Sequence, residues 1–230
     1  MKFYYDLHIH SDLSPCGNSD MTPNNIINMS YIKGLNIISI TDHNTTKNLS
    51  AIAFLGKKMG IKVIPGIEVT TKEEVHILCY FKALDDALAF GNVIYDSLPN
   101  IKNNTKIFGE QNIYNHNEEK IGELDKLLIN ATSYSVEDIY YLSKRYHGIT
   151  VPAHVYKKSN GILGVLGFIP IDLELNFIEV TSNEEIKDKQ LKKYIKLVNS
   201  DAHQLVDISE PENFMNLDSI EDVYRYLKIY

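Results

Sequence analysis

Cysteine is scarce in this chain: Cys16 and Cys79 are the only two among 230 residues. Two thiols 63 positions apart make neither a disulfide framework nor a paired-cysteine zinc motif, and a reducing cytoplasm is the expected location. Positive charge is also short, with 23 Lys and Arg against 30 Asp and Glu and a net charge of −7. That balance argues against a generally basic coat, so no extended nucleic-acid duplex is expected as a partner and any phosphate binding must be local. Long apolar runs are missing as well. None approaches the ~20 residues of a membrane span, and MKFYYDLHIHSD meets ionisable residues too early for a signal peptide, so no membrane partner is expected. Tryptophan is absent too, which excludes nothing.

Other absences narrow the chemistry. No G-x-x-x-x-G-K-S/T or G-x-G-x-x-G phosphate loop follows an apolar run, no G-x-S-x-G elbow exists, and neither cysteine sits in a thiol-protease motif. A metal-activated water is the nucleophile that remains.

What is present is ordinary in bulk, 44% hydrophobic and 23% charged, and the length suits one domain over residues 1–230. Thr22-Pro23 opens a helix in N-cap and N1 order, with Gly34 closing it. Strands from about Asn36 and over Lys62 to Val69 flank a helix from Thr45 to Met59, giving a β-α-β-α-β alternation that favours parallel strands with helical crossovers. The segment 85–132 breaks this rhythm. It reads as an insertion that begins with a helix over Asp85 to Leu98 and then turns polar, with a small hairpin around Asn115 to Glu119. Such an insertion is either a cap over a site or a surface excursion. Regularity returns with a capping box at Ser135 and Asp138. Strands follow at ITVPA, LNFIEVTS and IKLVNS, and then a helix from Asp218 to Tyr226 with Asp218 and Glu221 at capping-box spacing.

Six apolar runs carry a histidine, aspartate or glutamate at an end: DLHIH, IISITDH, VIPGIE, EVHILCYF, ITVPAH and KLVNSDAH. Six of the eight histidines lie in them. Strand ends that converge on one rim can gather such residues into a metal site. His8 and His10, two apart, share one face of a strand, and so do Asp201 and His203. Asp42 and His43 emerge together, one to bind metal and the other to orient a ligand. Glu68 can bridge two cations through its two oxygens. His76 taken alone reads as a core histidine, but with His154 it completes the set. Lys157 and Lys158 are candidate phosphate clamps or simply solvated. His116 and His147 fall outside the pattern and read as structural or exposed.

In DLHIHS, ITDHN, GIEVT, VHILCYF, PAH and NSDAH, in this order from about Asp6 to His203, the chain resembles the PHP family, the polymerase and histidinol phosphatase domain. The resemblance implies an α/β fold, a distorted (β/α)7 TIM-like barrel with catalysis on the rim of strand C-termini. It further implies two or three divalent ions; a thiolate ligand would favour zinc or ferrous iron, and a carboxylate would suit manganese equally well. His8, His10, Glu68 and Asp201 would hold the first, Glu68 would bridge to a second held by His76 and His154, and His43 and His203 would hold a third. The third ion's last ligand would come from the loop SPCGNSDMTP, which departs from the family's shorter Ser-Asp-Gly form; Cys16 and Asp20 are both candidates.

The expected function is phosphoester hydrolysis by a metal-activated water, on a phosphomonoester, a nucleotide bisphosphate or an oligonucleotide end. Asp42 would act behind the ligands, and Asp201 or His203 would relay protons. The alternatives are a metal-stabilised module without turnover and a metal-dependent amidohydrolase.

Overall fold

The computed structural model describes residues 1–181 and 189–230; Ser182, the last residue of the LNFIEVTS stretch, lies outside them. Strand β1 (Lys2–Ile9) pairs in parallel with β2 (Ile37–Ile40), which pairs in parallel with β3 (Lys62–Val63). The crossovers are α1 (Pro23–Ile32) and α2 (Leu49–Met59). Thr22 caps α1 by accepting from the Asn25 N–H, and Pro23 takes the first turn, where no N–H is needed. Helix α2 begins four residues later than its periodicity predicts, because Asn48 turns its side chain to Ser11 and to the backbone of residues 112 and 114.

The predicted third strand is two strands. Pro65 has no N–H to offer, so β3 stops and β4 (Gly66–Thr70) starts beyond it. A turn over Thr71 to Val75, closed by the Thr71 N–H on the Val75 carbonyl at 2.9 Å, then reverses the chain into β5 (His76–Tyr80). The connection is too short for a crossover, so β5 runs antiparallel to β4. It is also antiparallel to β8 (Ile149–Pro152). The expectation of uniformly parallel strands is thereby corrected: the fold is mixed α/β. Parallel pairing resumes between β9 (Phe177–Val180) and β10 (Ile195–Val198). Single contacts link these sheets: the bridges Ile9 to Ala202 and His43 to Glu68, and the Val155 N–H on the Glu179 carbonyl at 3.1 Å.

Between β5 and β8 lie α3 (Leu84–Asp96), α4 (Thr105–Phe108), the hairpin β6 (Asn112–Tyr114) with β7 (Lys120–Glu123), and α5 (Val136–Arg145). The hairpin is the one the sequence predicts, and Ser135 and Asp138 form the expected capping box. After β8 come α6 (Ile162–Val165), β11 (Phe214–Asn216), antiparallel to β1, and α7 (Val223–Tyr226). The last capping box falls one residue later than expected, on Ser219 and Asp222, whose carboxylate accepts from both the N–H and the hydroxyl of Ser219.

Strands β2, β4 and β9 are buried along their whole length, so the polar residues they carry, Glu68 and Glu179 among them, are buried as well. One core joins strands to helices, and an inner one holds Leu7, Leu78, Tyr80, Val151, Phe177 and Leu197. A bulge between Asp6 and Ile9 sets two residues of β1 against one of β2. It keeps Leu7 in the inner core while His8 and His10 both turn towards the rim where most strands end. Gly161 permits a close turn beneath that rim. A Cβ there would lie 2.7 Å from the His154 carbonyl oxygen and closer still to that of Lys157, and backbone cannot retreat. Gly161→Ala should therefore lower stability by about 1–3 kcal/mol in denaturant unfolding, the range typical of overpacking; an unchanged midpoint would contradict this account.

Candidate metal centre

The rim gathers side chains from, or just beyond, β1, β2, β4, β5, β8, β9 and β10. Glu68 sits at its middle on β4, buried, and five imidazoles close on its carboxylate. His76 Nδ1, His154 Nε2 and His8 Nε2 lie 3.0, 3.3 and 3.4 Å from Oε1, and His43 Nδ1 and His10 Nε2 lie 3.0 and 3.4 Å from Oε2. His76 reaches this rim from the start of its strand because β5 is reversed. Asp201 Oδ1 stands 3.3 Å from Nε2 of both His8 and His10, while its Oδ2 accepts from Lys157 Nζ at 3.1 Å.

A second layer fixes which ring nitrogens face inward. Nδ1 of His8 lies 3.0 Å from both oxygens of the buried Glu179 on β9, which also accept from Asn199 Nδ2 and the His154 N–H. Nδ1 of His10 meets the Ser14 hydroxyl at 3.1 Å, and that hydroxyl donates to Asp42 at 2.8 Å. Nδ1 of His203 donates to the Asp201 carbonyl at 2.7 Å. Each of these rings is thereby left with Nε2 as the lone pair aimed at the centre, the arrangement in which metal-ligating histidines are usually held. Asp42 itself does not reach the cluster; Ser11 and Ser14 occupy its carboxylate.

The electrostatics follow from burial and crowding. Burial opposes protonation of His8, but Glu179, Glu68 and Asp201 outweigh it and hold the imidazole well above its ordinary value. His10 and His43 are raised to about 9 against the same burial, by Asp201 and Glu68 for the first and chiefly by Glu68 for the second. Burial pushes His76 down despite Glu68, and burial together with His10 takes His203 to about 4. Glu68 is held well below the carboxylate range: burial pushes it up, but His76, His8 and His43 prevail.

Nitrogens and oxygens this close still make few hydrogen bonds. Both Glu68 oxygens, Nδ1 of His43 and His76, and both ring nitrogens of His154 are buried without a hydrogen-bond partner. Orphaned buried donors and acceptors require compensation. Ligand atoms within 4.8 Å of one another form three groups: His8, His10 and Asp201; His43, Glu68 and His76; and His10, Cys16, His43 and His203. Imidazole, carboxylate and thiol lone pairs converging in this way fit divalent transition ions.

The cluster thus brings together His8, His10, Cys16, His43, Glu68, His76, His154, Asp201 and His203. Asp20 is not among them: it is exposed, outside all three groups, with its carbonyl accepting from Asn25 Nδ2, so the loop offers Cys16 in its place. Lys157 reaches Asp201 at the edge of a cavity of about 220 Å³ that His154, Tyr156 and Thr181 also line. Lys158 is exposed, and among the described residues no ion pair includes it. His147 pairs with Asp86 at 3.2 Å and His116 lies against Phe54, both away from the cluster. Sequence reasoning missed Glu179, Ser14 and Asn199. A glutamate inside the buried strand FIEV was a legible sign, since a charge there needs a partner.

The PHP domain model matches residues 6–205, and the chain belongs to that family. It is 31% identical to a 5'-3' exoribonuclease of Haemophilus influenzae over 77 residues, 32% of this chain and 27% of the relative. The matches span less than half the length of the curated relatives. Endonuclease Q of Pyrococcus furiosus has the same fold, with a TM-score of 0.65 at 20% identity over 99% of this chain and 56% of that one. So does a protein of Bifidobacterium adolescentis assigned as a metal-dependent phosphoesterase, with a TM-score of 0.65 at 15% identity over 96% and 95%. A further endonuclease Q structure, with a TM-score of 0.62 at 19% identity over 99% of this chain and 57% of that one, is a complex with a 27-mer duplex carrying an abasic lesion at the active site. This overturns the expectation that an extended duplex is excluded. Net charge is a sum over the whole surface, whereas a ligand meets the local field of the rim, where bound ions are often the largest charges.

Two measurements test this geometry. Glu179→Gln should lower metal affinity by roughly 10–100-fold, as loss of a partner that orients a ligating histidine does; unchanged zinc affinity by chelator competition would refute its orienting role. His10 and His43 are raised to about 9, so protons occupy them below that pH and compete with the ion. Affinity should rise with pH across roughly 6 to 9, with proton release on binding, and a flat profile would contradict the ligand assignment.

Proposed function

We propose that the chain, a member of a family of metal-dependent hydrolases, cleaves a phosphoester with a metal-activated water. The observation that carries this reading is Glu68, a buried carboxylate with unpartnered oxygens, one facing His8, His76 and His154 and the other His10 and His43. That division suits a bridge between ions. In this reading His8, His10, Glu68 and Asp201 hold one ion, Glu68, His76 and His154 a second, and His43, His203 and Cys16 a third. When bound, two or three such ions supply Lewis acidity to phosphate oxygens and an activated water near neutral pH.

The protein's own groups then have separate tasks. Asp42 holds Ser14, and Ser14 holds His10 and accepts from the His43 N–H, so one buried carboxylate sets two ligands. Lys157 keeps Asp201 Oδ2 turned away from the imidazoles; with its side chain 49% exposed, it can also meet an incoming phosphate. In the same reading Asp201 or His203, both partly open to solvent, would relay a proton to the leaving oxygen. The thiol of Cys16 favours zinc or ferrous iron over manganese at the third position.

The substrate class comprises a phosphomonoester, a nucleotide bisphosphate or an oligonucleotide end. We infer a single barrel domain over 1–230, supported by the contacts that tie the sheets edge to edge. Free thiols support a reducing, cytoplasmic setting, and among the described residues no helix is long and apolar enough to cross a membrane.

Metal analysis with a phosphatase and nuclease screen tests the proposal. Hydrolysis should require manganese, zinc or iron, and Glu68→Gln or Asp201→Asn should abolish it while the protein stays folded. Absence of bound metal together with metal-independent or absent turnover would sink the reading.

A further inference from the structure

We propose that the 85–132 insertion is the seat of the Cys16 loop: it holds residues 11–21 in the one shape that brings Cys16 to His10, His43 and His203, and so decides whether that corner of the centre fills. The inference rests on the metal reading above and extends it to a part of the chain that contributes no ligand.

Leu13 carries the argument. It is fully buried, yet its partners belong to neither main core. It packs in a separate cluster with Leu98 and Leu128, against Tyr95, Ile113 and Leu124, and every one of these comes from the insertion. The loop's apolar anchor is thus seated in a pocket that the rest of the fold does not make.

Polar contacts fasten the same loop at both ends. At its start, Asn112 Nδ2 donates to the buried Asp12 carboxylate at 3.2 Å. Asn48 completes the joint: it accepts from the Tyr114 N–H at 2.9 Å and donates to the Ser11 hydroxyl at 3.1 Å and the Asn112 carbonyl at 3.2 Å. Beyond the loop's far end, Glu118 at the hairpin tip accepts from the Thr22 hydroxyl and from Asn24 Nδ2. Between these fixed points the chain curls tightly. The Ser14 N–H bonds the Ser11 carbonyl, Gly17 bonds Ser14, and the Asn18 N–H reaches the His203 carbonyl at 2.9 Å, which leaves Cys16 facing the three imidazoles. Cys16 itself is exposed, so its position depends on how the loop is held rather than on packing of its own side chain.

The hairpin's service to the centre is therefore positional. Removing its grip should loosen one metal corner and leave the Glu68 side intact, whereas a merely stabilising role would affect both alike or neither.

Cobalt(II) loaded into the full-length protein is the probe, because a thiolate ligand gives a charge-transfer band that imidazole and carboxylate do not. Leu128→Ala and, separately, Asn112→Ala with Glu118→Ala should each weaken that band. They should also speed alkylation of Cys16 by iodoacetamide in the zinc-loaded protein by roughly 10–100-fold, the scale at which outer contacts tune metal ligands. Cobalt bound outside the thiolate corner and the far-ultraviolet circular dichroism should stay as in the parent. If Leu128→Ala does not fold, the polar pair, which removes no core volume, gives the same reading. A band and an alkylation rate that match the parent in the variants overturn the proposal alone. A parent protein without any thiolate band overturns Cys16 as a ligand, and the proposal with it.

Discussion

The centre depends on one buried carboxylate. A lone ionised Glu68 at this depth would be costly to fold around, and the five imidazoles are what make it tolerable. They crowd one another as well as the carboxylate: burial, with His43 and His154 adding to it, holds His76 down, while His8, His10 and His43 are raised by the carboxylates they face. Protons are therefore a poor filling for the cluster, and divalent ions, with more charge at fewer positions, are a better one. To see one carboxylate from five directions, segments distant in sequence must end at the same place, and the strand order follows from that requirement.

The surrounding backbone is bent to the same end. Asn44, His154 and Asp201 adopt left-handed conformations, with φ of 52, 28 and 53°. Such residues cost on the order of 1–3 kcal/mol each and persist when their neighbours over-determine them. Here the neighbours do: Asn44 gives its N–H to the Glu68 carbonyl and its side chain to the Leu128 and Asn130 carbonyls, and the His154 N–H is taken by Glu179. The Ala202 N–H after Asp201 bonds back to the His8 carbonyl. At these three positions the left-handed backbone turns the chain at the rim, beside the candidate ligands.

Much of this was legible in the sequence, because residues that can hold a metal are chemically conspicuous. A histidine or carboxylate at the end of an apolar run stands out whatever the register, and the spacing of His8 and His10 gives their common face directly. Helix starts at Thr22 and Ser135 were readable for a similar reason, since a cap is a local bond. Strand direction was not: nothing in Lys62 to Tyr80 distinguishes a reversal from a crossover except Pro65 and the shortness of the turn after Thr70. The orienting groups were equally hidden. Ser14 is a common loop residue whose role exists only where Asp42 and His10 meet it, and Glu179 was passed over because its strand otherwise looked like simple core. Choosing Cys16 over Asp20 required the path of the loop, which pattern alone does not supply.

The reversal of β5 shifts the phase of everything after it. In a regular strand-helix alternation each strand climbs to the reactive rim and each helix descends, so the connection that follows a helix opens at the opposite end, far from the chemistry. Because β5 descends, α3 has to climb, and the connection after it emerges beside the metal ligands. That inverted half-turn gives added chain direct access to the centre, and α5 then descends and restores the original phase for β8 and His154. A local change of strand direction thereby sets where this architecture can grow: extra residues placed after α3 lengthen the wall beside the side-chain cluster.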